Sequence, residues 1–430
     1  MKFLPGILVL VPFMLIGQLA MSQEAAAFTE DVTYLLNQCE TQAGDLLRKK
    51  GIDWAAVRAE FTNEAENATT DDQKYKLVSR LLSRLQDGHA GIMETTCKPA
   101  DEARGRRFTG PRVQLVTSGN KVLVRSAFKD AAEAGLKAGQ EVLTLDGTPA
   151  RAWLDNQIPV MQARGSSFST PHQALYAACH WGLADWEGTT IAFEVKLPDG
   201  TTKVIKRVRN GGPNFAPYGP LFPPANLQYL GRQSYGVTKE GLGYIHLRDI
   251  PGTLPDQLDQ MLKELGNVPG LILDMRANGG GGCDHRAVFG RFLVKGKAWG
   301  SYEGLSDTPY TGPVVVIIDA GVRSAGETVS GMLKEDGRAY VIGDSPTAGT
   351  SSQKTEVKTP SGSFKVRFSV RSNMARFNKG KGIEGIGVPP HEVVPVQAAD
   401  LLKDEDTLIK RATELLRRGF PAGVVDYPGR

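Results

Sequence analysis

The chain has 430 residues, about three times the ~150 residues that one hydrophobic core serves comfortably, so two or three domains are expected. With 41% hydrophobic and 23% charged residues, 49 Gly and 25 Pro, usage is that of a folded chain rich in turns, which excludes a disordered tail protein, a coiled coil and a polytopic membrane protein. Lys and Arg number 51 against 47 Asp and Glu, without long runs of like charge, so the electrostatic footprint of a nucleic-acid binder is missing.

Residues 3–20 are uncharged and apolar, follow Lys2 and end at the small-residue site Ala20-Met21-Ser22, the pattern of a secretory signal peptide over residues 1–22. The rival is an uncleaved anchor. Pro5, Gly6, Pro12 and Gly17 interrupt the stretch and it barely reaches spanning length, so an exported chain, periplasmic or secreted, with no stable membrane span after cleavage is expected. Cys39, Cys97, Cys179 and Cys283 are an even count with no CxxC spacing. In an exported chain Cys39 with Cys97 is the most economical disulfide, and four buried free thiols are the equal alternative.

Residues 23–106 read as a helical cap. Val32, Leu35, Leu36 and Cys39 recur at helical spacing, and Leu77, Val78, Leu81, Leu82 and Leu85 do so again after the polar cluster 67–72. That pattern stops at Asp87-Gly88-His89, which leaves His89 beyond the helix end. Across 108–209 the period switches to two, with short strands expected at 112–116, 121–125, 141–145, 190–196 and 203–208. Residues 210–240 begin with a Gly- and Pro-rich stretch and read as a linker. From 241 to 430 strands and helices alternate: a strand at 243–247, a helix with Leu254, Leu258, Met261, Leu262 and Leu265 on one stripe, and a buried run at 271–274. A helix from about Asp284, a strand at 313–319, a helix at 324–334 and a strand at 339–343 complete an α/β core.

Within the β region, Ala134-Gly135-Leu136, Gly139 and Asp146-Gly147 occur in the order found in PDZ domains of exported proteases, which 108–209 resembles, with an apparent insertion around 171–186. That resemblance implies a strand edge for an extended peptide and backbone N–H groups for a terminal carboxylate.

Two Gly-dense loops follow buried strands of the core, where α/β folds place ligands. Asp274-Met275-Arg276-Ala277-Asn278 runs into Gly279-Gly280-Gly281-Gly282, and unshielded backbone N–H groups there suit an anion or a developing oxyanion. The loop lacks the Gly-Lys-Ser/Thr ending and the GxGxxG spacing of nucleotide-binding loops. The second loop, Asp319 to Glu327, carries Ser324 at the start of a helix. Alone, such a Ser is an N-cap. The same place gives a nucleophile a positive helix end and offers the Ala325 N–H to an oxyanion. Gly321 lies three residues before Ser324, so the GxSxG elbow of α/β-hydrolases is absent.

Taken with 243–247, 271–282, 314–327, 337–353 and 383–390 in sequence order, the chain resembles the S41 peptidases, the family of C-terminal processing proteases and the tricorn core. The resemblance implies a multidomain α/β protein: helical cap, PDZ-like β domain and S41 (crotonase-like) α/β core. It also implies that Ser324 is the nucleophile and that Gly280 and Ala325 supply the oxyanion hole. Processing proteases of the family activate the Ser with a Lys in a Phe-Gly-Lys-Gly-type turn. The equivalent turn here, Thr347-Ala348-Gly349-Thr350, puts Gly349 where the Lys would stand, although the companion Gln353 is present. The tricorn-like branch uses a His from the N-terminal part, which His89 matches, and an acid, which Glu384 matches. Ser is a weak nucleophile that a near-neutral His can deprotonate while a carboxylate fixes the imidazole. Gly88 replaces the Ser that the tricorn site places before its His, so whether Glu384 or Asp87 orients His89 stays open.

His285, five residues past Gly280, competes for the role of base. His246, His172, His180 and His391 have weaker claims. The histidines show no HExxH or other metal spacing, so no metal and no cofactor is expected. Ser351 to Lys354 spells S-x-x-K without the SDN or KTG of penicillin-recognising enzymes. The expected function is an exported serine endopeptidase acting on unstructured polypeptides, with C-terminal tails engaged at the PDZ module and homo-oligomerisation left open. The alternatives are a non-catalytic S41-fold protein that binds peptide or an apolar ligand, and turnover of a small ester or amide.

Overall fold

The computed structural model of the chain describes residues 12–99, 107–212, 215–425 and 427. The start of the expected signal peptide, residues 104–106 of the basic stretch and residues 213–214 of the expected linker lie outside the described residues. Among those described, no helix is long and apolar enough to cross a membrane. The mixed α/β, multidomain architecture expected from the sequence is the one adopted, with two compact units: Met1–Gly105, Gln162–Ser167 and Lys354–Arg371 in one, and Arg106–Met161, Phe168–Gln353 and Ser372–Arg430 in the other.

In the first unit the helices Pro12–Lys49, Trp54–Ala65 and Asp71–Ser83 are followed by the strand Gly91–Thr95. Val32, Leu35, Leu36 and Cys39, the stripe expected from spacing, are fully buried with Phe61, Val78 and Leu81. Thr70 caps the third helix, accepting from Gln73 N–H while Gln73 returns a bond to the Thr70 backbone. The strand Phe364–Ser372 pairs with both Gly91–Thr95 and Ser352–Lys358, and Phe364, Val366 and Phe368 enter the helical core. Cys39, Cys97 and Cys179 are buried and unbridged, and Cys283 is unbridged and partly exposed. The expected Cys39–Cys97 disulfide is not formed: all four thiols are free, as in the alternative, but only Cys39, Cys97 and Cys179 are buried, the first two within the apolar cluster.

Among the described residues, and beside two two-stranded pairs, the second unit holds two large sheets. The smaller runs Val113–Ser118, Lys121–Ala127, Glu141–Leu145, Thr190–Lys196, Thr202–Val208 in spatial order, all antiparallel. Its edge strand Val113–Ser118 is partly covered, because Leu115 N–H donates to the Cys179 carbonyl at 2.8 Å, just past the helix Pro171–Ala178.

The larger sheet has seven strands in chain order: Gln228–Leu230, Gln233–Val237, Gly243–His246, Leu271–Asp274, Val314–Ile318, Tyr340–Gly343 and Glu392–Val393. The first two join antiparallel and the rest run parallel. Continuous apolar runs suit strands buried on both faces. Val314, Val316 and Ile318 share one cluster with Leu258, Met261 and Leu262 of the helix Leu254–Leu265. Val315 and Ile317 turn to the other face, against Leu408, Ala412 and Leu415 of Thr407–Arg418. All parallel strands therefore end on one rim, where the loops 275–282, 319–324 and 344–351 lie.

That rim is anchored by Arg276. Its guanidinium bonds Asp274 at 2.6 Å and Asp406 at 2.8 Å with all three side chains buried. Burial alone would raise the Asp274 carboxyl, but the guanidinium outweighs it and holds it below the usual carboxylate range. Removing one partner of a buried ion network leaves uncompensated charge. Arg276→Met is expected to cost about 3 kcal/mol or more, read as a lower urea midpoint, and an unchanged midpoint would contradict this account of the rim.

Candidate active site

Ser324 follows the strand Val314–Ile318 and immediately precedes the helix Ala325–Glu335. It is partly exposed and sits at φ 53, ψ −121, a conformation costly for a residue with a Cβ and kept only where surroundings enforce it. Its N–H donates to both the Thr350 carbonyl, at 2.8 Å, and Glu327 Oε2, at 3.1 Å. Ala325 opens the helix, so its N–H has no partner within it and the positive helix end faces Ser324.

The glycine loop is pressed against this turn. Gly280 has φ +83, and a Cβ there would lie 2.7 Å from Ser324 Cβ and 3.2 Å from Ala325 N. Only glycine meets both conditions. Asn278, fully buried, aims the loop by donating to the Leu247 carbonyl at 2.7 Å and accepting from Gly280 N–H at 2.8 Å. Asp319 fixes the neighbouring backbone, accepting from Ala277 N–H at 2.9 Å and Gly321 N–H at 3.0 Å.

Glu327 was not singled out from the sequence, although Ser324-Ala325-Gly326-Glu327 spells the S-x-x-E capping pattern. Its carboxylate is fully buried and receives four donors: Thr347 Oγ1 and Gly349 N–H at 2.7 Å each, Thr350 N–H at 2.8 Å and Ser324 N–H. Burial pushes this carboxyl up to about 8, against the pull of Thr347, Gly349 and Thr350. The Ser324 backbone is thus tied to the 347–350 turn through one carboxylate.

Gly349, the position at which the resemblance to processing proteases would put a Lys, has φ +76, and a Cβ there would meet Thr170 Cγ2 at 2.5 Å. Glu384 is buried; its Oε1 accepts from Ser169 Oγ at 2.9 Å and its backbone N–H donates to Ser372 Oγ at 2.9 Å. Its charge also contributes to the elevation at Glu327.

His89 belongs to the first unit. It is partly exposed, and its N–H donates to Asp87 Oδ1 at 2.8 Å. Asp87 is buried and also accepts from Ser369, from its N–H at 2.6 Å and its hydroxyl at 2.8 Å. Ser324, Ala325 and Gly280 are brought together within the second unit, which also contains Glu384. Among the remaining histidines, His246 contacts the Arg276 carbonyl, His172 the Thr347 carbonyl and His391 accepts from Val341 N–H. His180 stacks on Phe215 and bonds Tyr218, and burial pushes it down to about 4. His285 lines a cleft with Cys283, Met332, Met374 and Arg376.

Residues 241–394 match peptidase family S41. The carboxy-terminal processing protease CtpB of Bacillus subtilis is 22% identical over 322 residues, 71% of this chain and 60% of that protein. The chloroplastic C-terminal processing peptidase of Tetradesmus obliquus is 25% identical over 364 residues, 79% of this chain and 72% of that protein. The chain thus spans about three fifths of the Bacillus relative's length. The crystal structure of mature CPAF shares the fold, with a TM-score of 0.68 at 14% identity over 94% of this chain and all of the other.

A lysine cannot be grafted into the 347–350 turn without disrupting it. Gly349→Lys is expected to destabilise the protein by about 3 kcal/mol, from positive-φ strain plus overpacking, and thermal unfolding checks it; retained stability would mean that the turn yields to a side chain.

Proposed function

From the match of residues 241–394 to peptidase family S41 we propose that the chain is a serine-type peptidase, an exported endopeptidase cleaving unstructured polypeptides through an acyl-enzyme on Ser324. The observation that carries this reading is the strained Ser324 at a helix start with Gly280 and the Ala325 N–H beside it.

In the proposed cycle His89 takes the Ser324 hydroxyl proton as Oγ attacks the scissile carbonyl. The oxyanion is held by the Ala325 N–H and by the Gly280 N–H, which exchanges Asn278 Oδ1 for it. His89 returns the proton to the leaving amine, then activates the water that releases the acyl group, and Ser324 recovers its proton. Glu384 orients His89. Support for Glu384 over Asp87 comes from the Asp87 carboxylate already fixing the Ser369 and His89 backbones. The lack of room at Gly349 supports a base other than Lys.

The proposed organisation is a signal peptide (1–22), a helical cap (23–106), a PDZ domain (108–209), a linker (210–240) and the catalytic core (241–430), with Lys354–Arg371 of the core grouped with the N-terminal unit. A substrate tail adding to the edge strand Val113–Ser118 at Leu115 would displace the Cys179 carbonyl.

The test is active-site labelling with a fluorophosphonate together with hydrolysis of labelled casein. Ser324→Ala is expected to abolish labelling, and Ser324→Ala and His89→Ala each to lower kcat by about a thousandfold or more, with the double variant no worse than either alone. Casein hydrolysis undiminished in Ser324→Ala would overturn the assignment.

A further inference from the structure

We propose that Ser169 is a positioning residue for Glu384, holding its carboxylate for the reaction from outside the core in sequence; the proposal rests on the catalytic reading of Glu384. Ser169 is buried and lies between the helices Ala150–Ala163 and Pro171–Ala178. Its backbone is fixed before its hydroxyl is considered: Ser169 N–H donates at 2.6 Å to Oε1 of Gln173, itself fully buried, and Gln173 N–H donates to Thr170 Oγ1 at 3.2 Å as the second helix starts. The hydroxyl then works in one direction. It accepts from Thr350 Oγ1 at 3.3 Å and donates to Glu384 Oε1 at 2.9 Å.

The same Thr350 gives its N–H to Glu327 and its carbonyl to Ser324 N–H. A short relay therefore links the Glu384 carboxylate to the residue that fixes the nucleophile's backbone. Docking of the segment does not need Ser169. Thr170 Oγ1 donates to the Ala348 carbonyl at 2.8 Å, and His172 Nε2 lies 2.7 Å from the Thr347 carbonyl. Those contacts hold the segment on the turn, while the Ser169 hydroxyl is directed at Glu384. A buried carboxylate responds strongly to a single donor, because a hydrogen bond to the charged form both keeps it ionised and selects its orientation.

The experiment measures kcat and KM for labelled casein, and in parallel the fluorophosphonate acylation rate, on the full chain and its Ser169→Ala, Ser169→Thr, Glu384→Gln and Ser169→Ala/Glu384→Gln variants. Ser169→Ala is expected to lower kcat and acylation about tenfold, as for loss of a hydrogen bond to a charged group, with KM nearly unchanged. Ser169→Thr restores most of the rate, and Ser169→Ala has no further effect once Glu384 is Gln. An undiminished kcat in Ser169→Ala, a rise in KM instead of a fall in kcat, or an equal further loss in the Glu384→Gln background overturns the proposal. Full activity in Glu384→Gln identifies the catalytic reading of Glu384 as the failure, and the role of Ser169 falls with it.

Discussion

A buried carboxylate with four donors holds the candidate site together. Glu327 sits within the first turn of its helix and gathers N–H groups from Ser324, Gly349 and Thr350 and the hydroxyl of Thr347. Taking a carboxylate out of water is costly unless donors replace the lost solvation. Here the replacements come from two loops that follow different strands of the sheet, Val314–Ile318 and Tyr340–Gly343. Neither loop can relax without stripping Glu327 of partners, which is how Ser324 is maintained at φ 53. The strain at the serine and the burial of the glutamate are two sides of one arrangement.

Glycine is the complement of that clamp. Once Ser324 is pinned, the neighbouring loop must approach with its backbone, and Gly280 and Gly281 do so at positive φ, the latter with no space for a Cβ beside the Ile250 carbonyl. The run of four glycines does not act as a flexible cradle. Asn278 fixes its direction, and the parallel bridge of Gly281 to Ile250 ties it to the segment that follows the strand Gly243–His246.

Much of this fold was legible from residue pattern. The strands Glu141–Leu145, Thr190–Lys196 and Leu271–Asp274 fall where hydrophobic period and turn residues place them, because each is bounded by turn-forming residues. The strands Ser352–Lys358 and Phe364–Ser372 were not legible. Their alternation is interleaved with Lys, Arg and Ser, and the apolar face they bury is completed by helices from the start of the chain, a partnership without local signature. At the site, Ser324 was visible because strand, glycine and helix start coincide. Glu327 was hidden inside an ordinary capping pattern, and its importance depends on the 347–350 turn coming to meet it. Ser169 carried no signal, since its bond to Glu384 spans 215 positions.

The glycine at position 349 is tied to the same clamp. Gly349 N–H is one of the donors to Glu327, its carbonyl accepts from Gly385 N–H at 2.8 Å next to Glu384, and Thr170 occupies the direction a side chain would take. The turn's contribution is therefore geometric. Backbone groups of three successive residues, Ala348, Gly349 and Thr350, meet the Val322 carbonyl, Glu327 and Ser324. Supplying a base from this turn would require the side-chain volume and φ that the clamp excludes. The glycine at 349 and the rigidity of the serine loop belong to one packing solution, and it accords with the proposed reading, in which the proton acceptor comes from another part of the chain.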